Sequence, residues 1–393
     1  MAEAVDQIFV AAKHWLVSLA PEAWQPWVSV LLSIAALMVV FGTLFAVTTV
    51  LERKGLGRIQ NRFGPNRVGP FGILQPLADG IKALVKEDIV PRVADRVVHF
   101  LAPVVMIIPP FLALAVLPFG RNMTFVEFDA AILFFFAVGA SMELAVFMAG
   151  WSSRNKYSLL GAMRAIAQMI SYEIPLILSS VSVIMIVGSL SPGEIVAVQA
   201  GYTNGLPNWH LLTPWGIAGF VLFMIAATAE SNRSPFDLPE GESEIVAGYY
   251  IEYSGFKFAL FFLGEYLGLF AVSGLGITLF LGGWHAPFAF LGFLPSWFWF
   301  FAKLFALISV FIWVRGTLPR LRQDQLMNFA WKFMLPMALV NLVAAAVWHF
   351  MAPLPVVARW VAVSLIVAGP YVMLGRELMV RKNLSKRTYR FAE

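Results

Sequence analysis

The chain has 393 residues, of which 60% are hydrophobic and only 13% are charged, and its mean hydropathy is +0.77. Water-soluble domains of this length do not have such a composition, so the expected solvent is the lipid bilayer. The absence of cysteine excludes disulfides, a thiol nucleophile and iron–sulfur ligation by the chain's own thiolates. No two of the five histidines have a metal-ligand spacing, so no metal site is expected, and the net charge of +5 is attributed to membrane topology rather than to nucleic-acid binding.

The N-terminal segment, MAEAVDQIFVAAKHWL, lacks the basic region that opens a secretory signal peptide and carries Glu3 and Asp6. A cleaved signal peptide is therefore not expected. Two interpretations of this segment stay open: an interfacial helix ahead of the first membrane span, and a frayed terminus.

Nine apolar runs are long enough to cross about 30 Å of hydrocarbon as helices, which takes about 20 residues each. They lie at approximately 27–51, 98–119, 130–150, 161–190, 214–230, 258–281, 298–316, 329–351 and 357–376, with the fifth run short and the fourth long. The predicted fold class is an all-α polytopic membrane protein that forms a single transmembrane domain over residues 1–393.

The Lys and Arg residues predict the orientation of the chain. With the 52–97 loop inside, 24 of the 28 Lys and Arg residues fall in inner segments or their flanks, and three fall outside. The positive-inside rule then places the N-terminus outside and the C-terminus in the cytoplasm. Lys303 lies within a span, where its side chain could snorkel to the outer interface.

The first inner loop, residues 52–97, opens with turn material and then becomes helical. Glycine and proline punctuate LERKGLGRIQNRFGPNRVGPFG, and from Pro76 apolar residues recur on one face. This pattern predicts a short amphipathic helix at the inner membrane surface. The alternative is a basic tether to anionic lipid, which would not need glycines and prolines at so many defined places.

The third inner loop, residues 231–257, is acidic, although inner loops usually favour Lys and Arg. The loop and the end of the preceding span contain six carboxylates: Glu230, Asp237, Glu240, Glu242, Glu244 and Glu252. Topology does not select for acids at this place. We therefore predict a proton-handling site beside a cavity in the membrane.

Four acidic residues lie in or at the ends of spans: Glu143, Glu173, Glu230 and Glu265. A charge at mid-bilayer costs on the order of 2.5–3.5 kcal/mol, so each acid needs a reason. At 1.5 Å per residue, Glu143 and Glu265 lie about 10 Å from the inner end of their spans and Glu173 about 18 Å. A helix–helix hydrogen bond would explain any one of them. Four acids that approach the same acidic loop favour proton or ion handling, because buried carboxyl groups can exchange protons near neutral pH.

Three long strings occur in the order found in a known family. They are ERKGLGRIQNRFGPNRVGPFGILQPLADGIKALVKED, SMELAVFMAGWSSRNKYSLLGAMRAIAQMISYEIP and AESNRSPFDLPEGESEIVAGYYIEYSGFKFALFFLGEY. Together they resemble the H subunit of bacterial respiratory complex I, the counterpart of mitochondrial subunit 1. The resemblance covers roughly residues 27–351, and the ninth span and basic tail resemble members with an extra C-terminal helix.

The resemblance implies a membrane-anchor subunit of a proton-pumping NADH:quinone oxidoreductase, a translocase of the bacterial plasma (inner) membrane. Such a subunit forms much of the quinone tunnel, and its substrate is a quinone, either ubiquinone or menaquinone. FMN and iron–sulfur clusters would lie on partner subunits of the peripheral arm. The other implied partners are small and antiporter-like membrane subunits and membrane lipid.

The resemblance also implies roles for residues at matching positions. The quinone-tunnel positions are Glu52, Arg53, Arg62, Asp79, Arg233 and Asp237. The proton-relay and coupling positions are Glu230, Glu240, Glu242, Glu244, Glu143, Glu173 and Glu265.

Two other functions compete with this one. The membrane anchor of an energy-converting hydrogenase belongs to the same superfamily and needs no quinone, but the string GPNRVGPFGILQPLADG favours complex I. A stand-alone ion transporter would show two related halves with broken helices, and we find no such repeat. Co-migration of the purified protein with a flavin- and iron–sulfur-containing assembly would separate the three.

Overall fold

A computed structural model of the chain describes residues 5–203, 205–237 and 248–380. Its α-helices are α1 (Ile8–Ser18), α2 (Gln25–Ile59), α3 (Gln75–Val85), α4 (Arg96–Ala115), α5 (Ala131–Gly139), α6 (Ser141–Ser152), α7 (Lys156–Val187), α8 (Pro192–Val198), α9 (Pro214–Glu230), α10 (Gly255–Phe280), α11 (Ser296–Thr317), α12 (Gln323–Phe329), α13 (Leu335–Phe350) and α14 (Val356–Val380). A π-helical turn, Ala330–Met334, joins α12 to α13. A small antiparallel hairpin pairs β1 (Tyr202–Thr203) with β2 (Leu206–Pro207). The predicted coupling residues Glu240, Glu242 and Glu244 lie outside the described residues.

Eight helical segments of the described chain are long and apolar enough to cross a membrane. They are Glu22–Ile59, Arg96–Ala115, Ala131–Ser152, Lys156–Val187, Gly255–Phe280, Ser296–Thr317, Gln323–Phe350 and Val356–Arg376. The remaining predicted span, the fifth, coincides with α9, which is apolar but has only 17 residues. The all-α polytopic membrane fold is therefore confirmed. Its orientation stays a prediction, and the inner and outer sides are those that the positive-inside rule predicts.

Side chains and a glycine set the ends of the long helices. Asp95 accepts a hydrogen bond from the amide of Val97 (3.2 Å) and so caps the start of α4. Asn155 does the same for α7 through the amide of Tyr157 (2.9 Å). Gly188 ends α7 with a φ of 77°, a left-handed conformation that suits glycine.

Helix α10 is the centre of the packing. It is buried almost continuously from Gly264 to Phe280 and packs against α3, α4, α9 and α11. A close approach of two glycines brings α7 to the segment just before α10, because a Cβ on Gly161 would lie 2.7 Å from the carbonyl carbon of Gly248. Side chains on α10 are therefore held among several helices.

Helix α3 occupies the place where the sequence predicts an amphipathic helix. Three apolar side chains of its predicted membrane face, Leu77, Ile81 and Leu84, are exposed in this single chain. An exposed apolar face is what a helix lying on a membrane surface presents.

The first inner loop and the acidic loop are tied together beyond α3. The amide of Ile89 donates to Ser254 Oγ (2.8 Å), and that hydroxyl donates to the carbonyl oxygen of Glu87 (3.2 Å). An ion pair of 2.7 Å joins Asp88 to Lys257 at the start of α10. The end of the first inner loop is thus fixed to the end of the acidic loop.

The N-terminal segment is helical and docked on the outer side. Asp6 Oδ1 accepts hydrogen bonds from the amide (2.6 Å) and hydroxyl (2.5 Å) of Ser296 at the start of α11. The side chain of Gln7 donates to the carbonyl oxygen of Arg121 (3.0 Å). These contacts favour the interfacial-helix interpretation over a frayed terminus for the residues from Ile8 to Ser18.

Lys303 is bonded inside the protein, so the snorkelling interpretation is wrong. Its Nζ donates to the carbonyl oxygens of Leu281 (2.6 Å), Gly283 (2.8 Å) and His285 (2.7 Å). It also lies 4.3 Å from the ring centre of Trp209. These carbonyls follow the C-terminus of α10, where a positive charge is also favoured by the helix dipole.

We expect Lys303→Met to loosen the turn that follows α10. Three carbonyl groups lose a charged donor, and each such hydrogen bond contributes on the order of 1.5–3 kcal/mol. Hydrogen–deuterium exchange over residues 281–285 should become at least about tenfold faster. Lys13→Met is the matched control, because Lys13 makes one hydrogen bond among the described residues, to Ser33 Oγ. Equal exchange in both variants would show that the three bonds do not hold the turn.

Candidate functional site

A cavity of about 40 Å³ lies between α4, α5, α6, α7, α9 and α10. This is room for roughly one to three water molecules. Three predicted relay carboxylates line it, one from each of three helices: Glu173, Glu230 and Glu265. Most of the other lining side chains are apolar. We call this space the carboxylate cavity.

The fourth intramembrane acid belongs to the same group. Glu143 is close enough to interact electrostatically with Glu173 and Glu230. Glu143 Oε1 and Glu230 Oε2 are buried without a hydrogen-bond partner among the described residues. Glu265 is buried as well, and its Oε1 accepts a hydrogen bond of 2.8 Å from the hydroxyl of Tyr249. The fold therefore collects the four intramembrane acids, which the sequence places on separate segments.

The arrangement of these acids suits protons and water molecules. Buried carboxylate oxygens with no protein partner need a proton or a water molecule to compensate for lost solvation. No set of three His, Asp or Glu side chains within the described ranges is arranged to hold a metal ion. Like charges this close repel, so a proton taken up by one acid affects the others.

A second buried group surrounds Glu52 on α2. The carboxylate of Glu52 accepts hydrogen bonds from the hydroxyl of Tyr266 on α10 and from the guanidinium of Arg315 on α11. Arg233 Nη1 lies 3.6 Å from Glu52 Oε1, and the Arg233 guanidinium stacks 4.0 Å from the ring centre of Tyr266. These four residues are called the Glu52 cluster below. It contains two cations and one carboxylate.

Arg233 links the two groups. It lies in the segment after α9, and it interacts electrostatically with both Glu52 and Glu265. Burial alone would lower the pKa of Arg233, but Tyr266 and these two carboxylates raise it above its ordinary value. The guanidinium therefore keeps its charge between the Glu52 cluster and the carboxylate cavity.

Other predicted tunnel residues lie nearer the surface. Arg53 Nη1 is 2.6 Å from Asp79 Oδ2, so the first inner loop is pinned to the end of α2. Burial opposes a charge on Asp79, but hydrogen bonds from Arg53 and Gln75 outweigh it and lower the pKa of Asp79. Arg62 is exposed and donates to Gln60 (2.7 Å), away from both groups.

The start of the acidic loop, residues 231–237, is held by neighbouring helices. The amide side chain of Gln168 on α7 donates to the carbonyl oxygens of Ala229 (2.8 Å) and Phe236 (2.7 Å). Arg320 donates to the carbonyl oxygen of Asp237. The backbone of Asp237, a predicted tunnel residue, thus contacts the connection between α11 and α12.

Comparison with known proteins decides the family. The family model described as NADH dehydrogenase matches residues 32–346. The chain belongs to this family. A relative from Dehalococcoides mccartyi (strain CBDB1) is 51% identical over 322 residues, which cover 81% of this chain and 87% of the relative.

Two further relatives show the same likeness. One from Geobacillus kaustophilus (strain HTA426) is 48% identical over 82% of this chain and 93% of its own length. One from Burkholderia vietnamiensis (strain G4 / LMG 22486) is 47% identical over 84% of this chain and 94% of its own length. All three relatives are named as the H subunit of an NADH-quinone oxidoreductase, so the resemblance stated from the motifs is confirmed.

The NADH dehydrogenase match contains both buried groups, from Glu52 to Arg315, whereas α14 lies beyond it. Sequence reasoning missed several residues that build the site: Tyr249, Tyr266 and Arg315 in these groups, and Gln168 beside the start of the acidic loop. In the sequence, Arg315 indicates only the orientation of its span. A basic residue at the end of a span does not reveal which acid it meets, so the sequence carries no signal for this pair.

Proposed function

We propose that the chain is the membrane-anchor subunit of a proton-translocating NADH–quinone oxidoreductase and couples quinone reduction to proton movement. The observation that carries this proposal is the continuous series of charged groups from Glu52 through Arg233 to Glu265 and the carboxylate cavity. The family supplies the substrate, because its relatives are named for quinone reduction. Those names favour this function over a hydrogenase anchor or a stand-alone transporter.

The quinone tunnel runs beside the first inner loop and the start of the acidic loop. Its walls include the Arg53–Asp79 pair at the surface and the Glu52–Arg233 pair in the interior. Quinone enters from the bilayer between helices and moves headgroup-first toward the inner loops. The excess positive charge of the Glu52 cluster favours the negative charge that a quinone gains on reduction.

Reduction of one quinone to quinol takes two electrons and two protons. The electrons come from an iron–sulfur cluster on a peripheral-arm subunit, and the protons come from the inner side. Negative charge on the partly reduced quinone attracts the guanidinium of Arg233. This attraction changes how strongly Arg233 interacts with Glu52 and with Glu265. Protons then redistribute from Glu265 to Glu230, Glu173 and Glu143 and onward to neighbouring antiporter-like subunits.

The proposed assembly lies in the bacterial plasma membrane. Peripheral-arm subunits carry FMN and the iron–sulfur clusters, and small membrane subunits lie beside this chain. The enzyme activity is a property of the whole assembly, since this chain has no cysteine with which to hold the terminal cluster.

The acidic loop provides a test of this function. We expect a variant with Glu240, Glu242 and Glu244 all replaced by Gln to lose about tenfold or more of its quinone reduction in membranes. NADH oxidation by an artificial acceptor should survive, because the peripheral arm is unchanged. Glu127→Gln, at an exposed outer position, is the control. Unchanged quinone reduction and pumping in the triple variant would contradict the proposal.

A further inference from the structure

An apolar groove of about 670 Å³ lies between α9, α11 and α12. This volume is within the roughly 300–1,000 Å³ of small-ligand sites. Its walls are mainly aliphatic and aromatic, with Ile225, Val310, Leu318 and Phe329 among them. Val310 is 42% exposed and Leu318 is 52% exposed, so the groove opens on the surface of this chain.

The polar side chains of the groove lie mostly on one side. Gln325, Asn328 and Lys332 follow one another at spacings of three and four residues along the α12 wall. The hydroxyl of Thr228, on the opposite wall, already donates to the carbonyl oxygen of Ile225 (2.6 Å). The groove thus has apolar walls and one polar rim, which is formed by Gln325, Asn328 and Lys332.

Lys332 gives this rim a positive charge. It is exposed and has no ion-pair partner in the described part of the chain, and none of the described residues that line the groove is acidic. It lies in the π-helical turn Ala330–Met334, a rare geometry that often occurs at functional sites. Arg320 and Arg322, between α11 and α12, add positive charge near the same end.

We propose that the groove binds an anionic phospholipid, with an acyl chain against the apolar walls and the headgroup phosphate at Lys332. The apolar walls suit a hydrocarbon chain rather than a water-soluble ligand. The basic rim lies at the predicted inner end of α11, where anionic headgroups of the inner leaflet are attracted by Lys and Arg. A zwitterionic lipid would bring its own ammonium group near Lys332, so the electrostatic contribution to its binding would be smaller than that of an anionic lipid.

The bound lipid contacts the start of the acidic loop. Pro235 and Phe236 line the groove, and the carbonyl oxygen of Pro235 accepts a hydrogen bond of 3.1 Å from the amide of Leu321. The ring of Phe236 lies 5.1 Å from that of Tyr172 on α7. An occupied groove therefore supports residues 235–236 from the side opposite α7.

A photo-cross-linking residue at Val310 tests this site in the complete assembly. The assembly is placed in vesicles of phosphatidylethanolamine and phosphatidylglycerol at a three-to-one ratio, and the cross-linked adducts are identified by mass spectrometry. The control position is Trp313, which lies on the same helix, is 62% exposed and does not line the groove. The ratio of phosphatidylglycerol to phosphatidylethanolamine adducts should be about fivefold higher at Val310 than at Trp313, as expected for one basic residue at an anionic surface.

The charge at Lys332 is tested in the same experiment. Lys332→Gln should reduce the Val310 adduct ratio to that of Trp313, and Lys332→Arg should keep the enrichment. An equal ratio at the two positions would overturn the proposal, as would an enrichment that Lys332→Gln leaves unchanged. Adducts at Val310 that contain a protein subunit or a quinone would assign the groove to that partner and would also overturn it.

Discussion

Replacing Glu230 with Gln should lower coupled quinone reduction about a hundredfold, the lower end of what a positioned proton-transfer group contributes. Glu230 lines the carboxylate cavity and interacts with Glu173 and Glu143, and its Oε2 has no protein partner in the described chain. Glutamine keeps the shape of the side chain but cannot take up and release a proton. The measurement compares NADH oxidation by quinone and by an artificial acceptor in membranes.

Two comparisons make this result specific. Glu194→Gln, at an exposed outer position, should leave both activities unchanged. Because Glu173 and Glu230 interact, the double variant Glu173→Gln/Glu230→Gln should lose little more activity than either single variant. Normal quinone reduction and proton pumping in Glu230→Gln would remove this residue from the relay.

Replacing Glu52 with Gln should destabilise the chain by about 3–5 kcal/mol, because it leaves the buried Arg233 and the part-buried Arg315 without the carboxylate that they share. Arg315 and Arg233 both face the Glu52 carboxylate, and Tyr266 donates to it. The free energy of unfolding in detergent and the amount of assembled complex on a native gel would both fall.

The Arg53–Asp79 pair provides the matched control. It is partly exposed, so Asp79→Asn should cost no more than about 1 kcal/mol. Adding Arg315→Gln to Glu52→Gln removes one of the stranded charges and should recover part of the lost stability. Equal losses of unfolding free energy in Glu52→Gln and Asp79→Asn would show that burial does not determine how much the Glu52 cluster contributes to stability.

The sequence predicted those parts of the fold that depend on local composition. Each of the nine apolar runs coincides with a helical segment of the described chain: eight are long enough to span a membrane, and the fifth is the 17-residue α9. Crossing hydrocarbon imposes length and hydropathy on each segment by itself, so these segments are visible in the sequence. The amphipathic pattern after Pro76 located α3 for a similar reason. The depths of Glu143, Glu173 and Glu265 in the bilayer stay predictions, calculated from the helix rise.

The sequence did not predict which helices pack against one another. Glu52 and Arg315 are 263 residues apart, and Glu52 and Tyr266 are 214 apart, so only the arrangement of α2, α10 and α11 brings them together. The depth of a residue along its helix does not determine how that helix is rotated about its axis. The sequence therefore could not show that Glu173, Glu230 and Glu265 face one cavity. Lys303 was misjudged because its partners are carbonyl oxygens, which every residue has.

Infrared difference spectroscopy of the complete assembly tests most directly whether the carboxylate cavity exchanges protons with quinone chemistry. Spectra are recorded on reduction of bound quinone in the parent protein and in the Glu173→Gln, Glu230→Gln and Glu265→Gln variants. We expect a change in the carbonyl stretch of protonated carboxyl groups, and each variant should lose part of that change. A carboxyl signal that is absent from the parent protein, or identical in all three variants, would contradict the proposed relay.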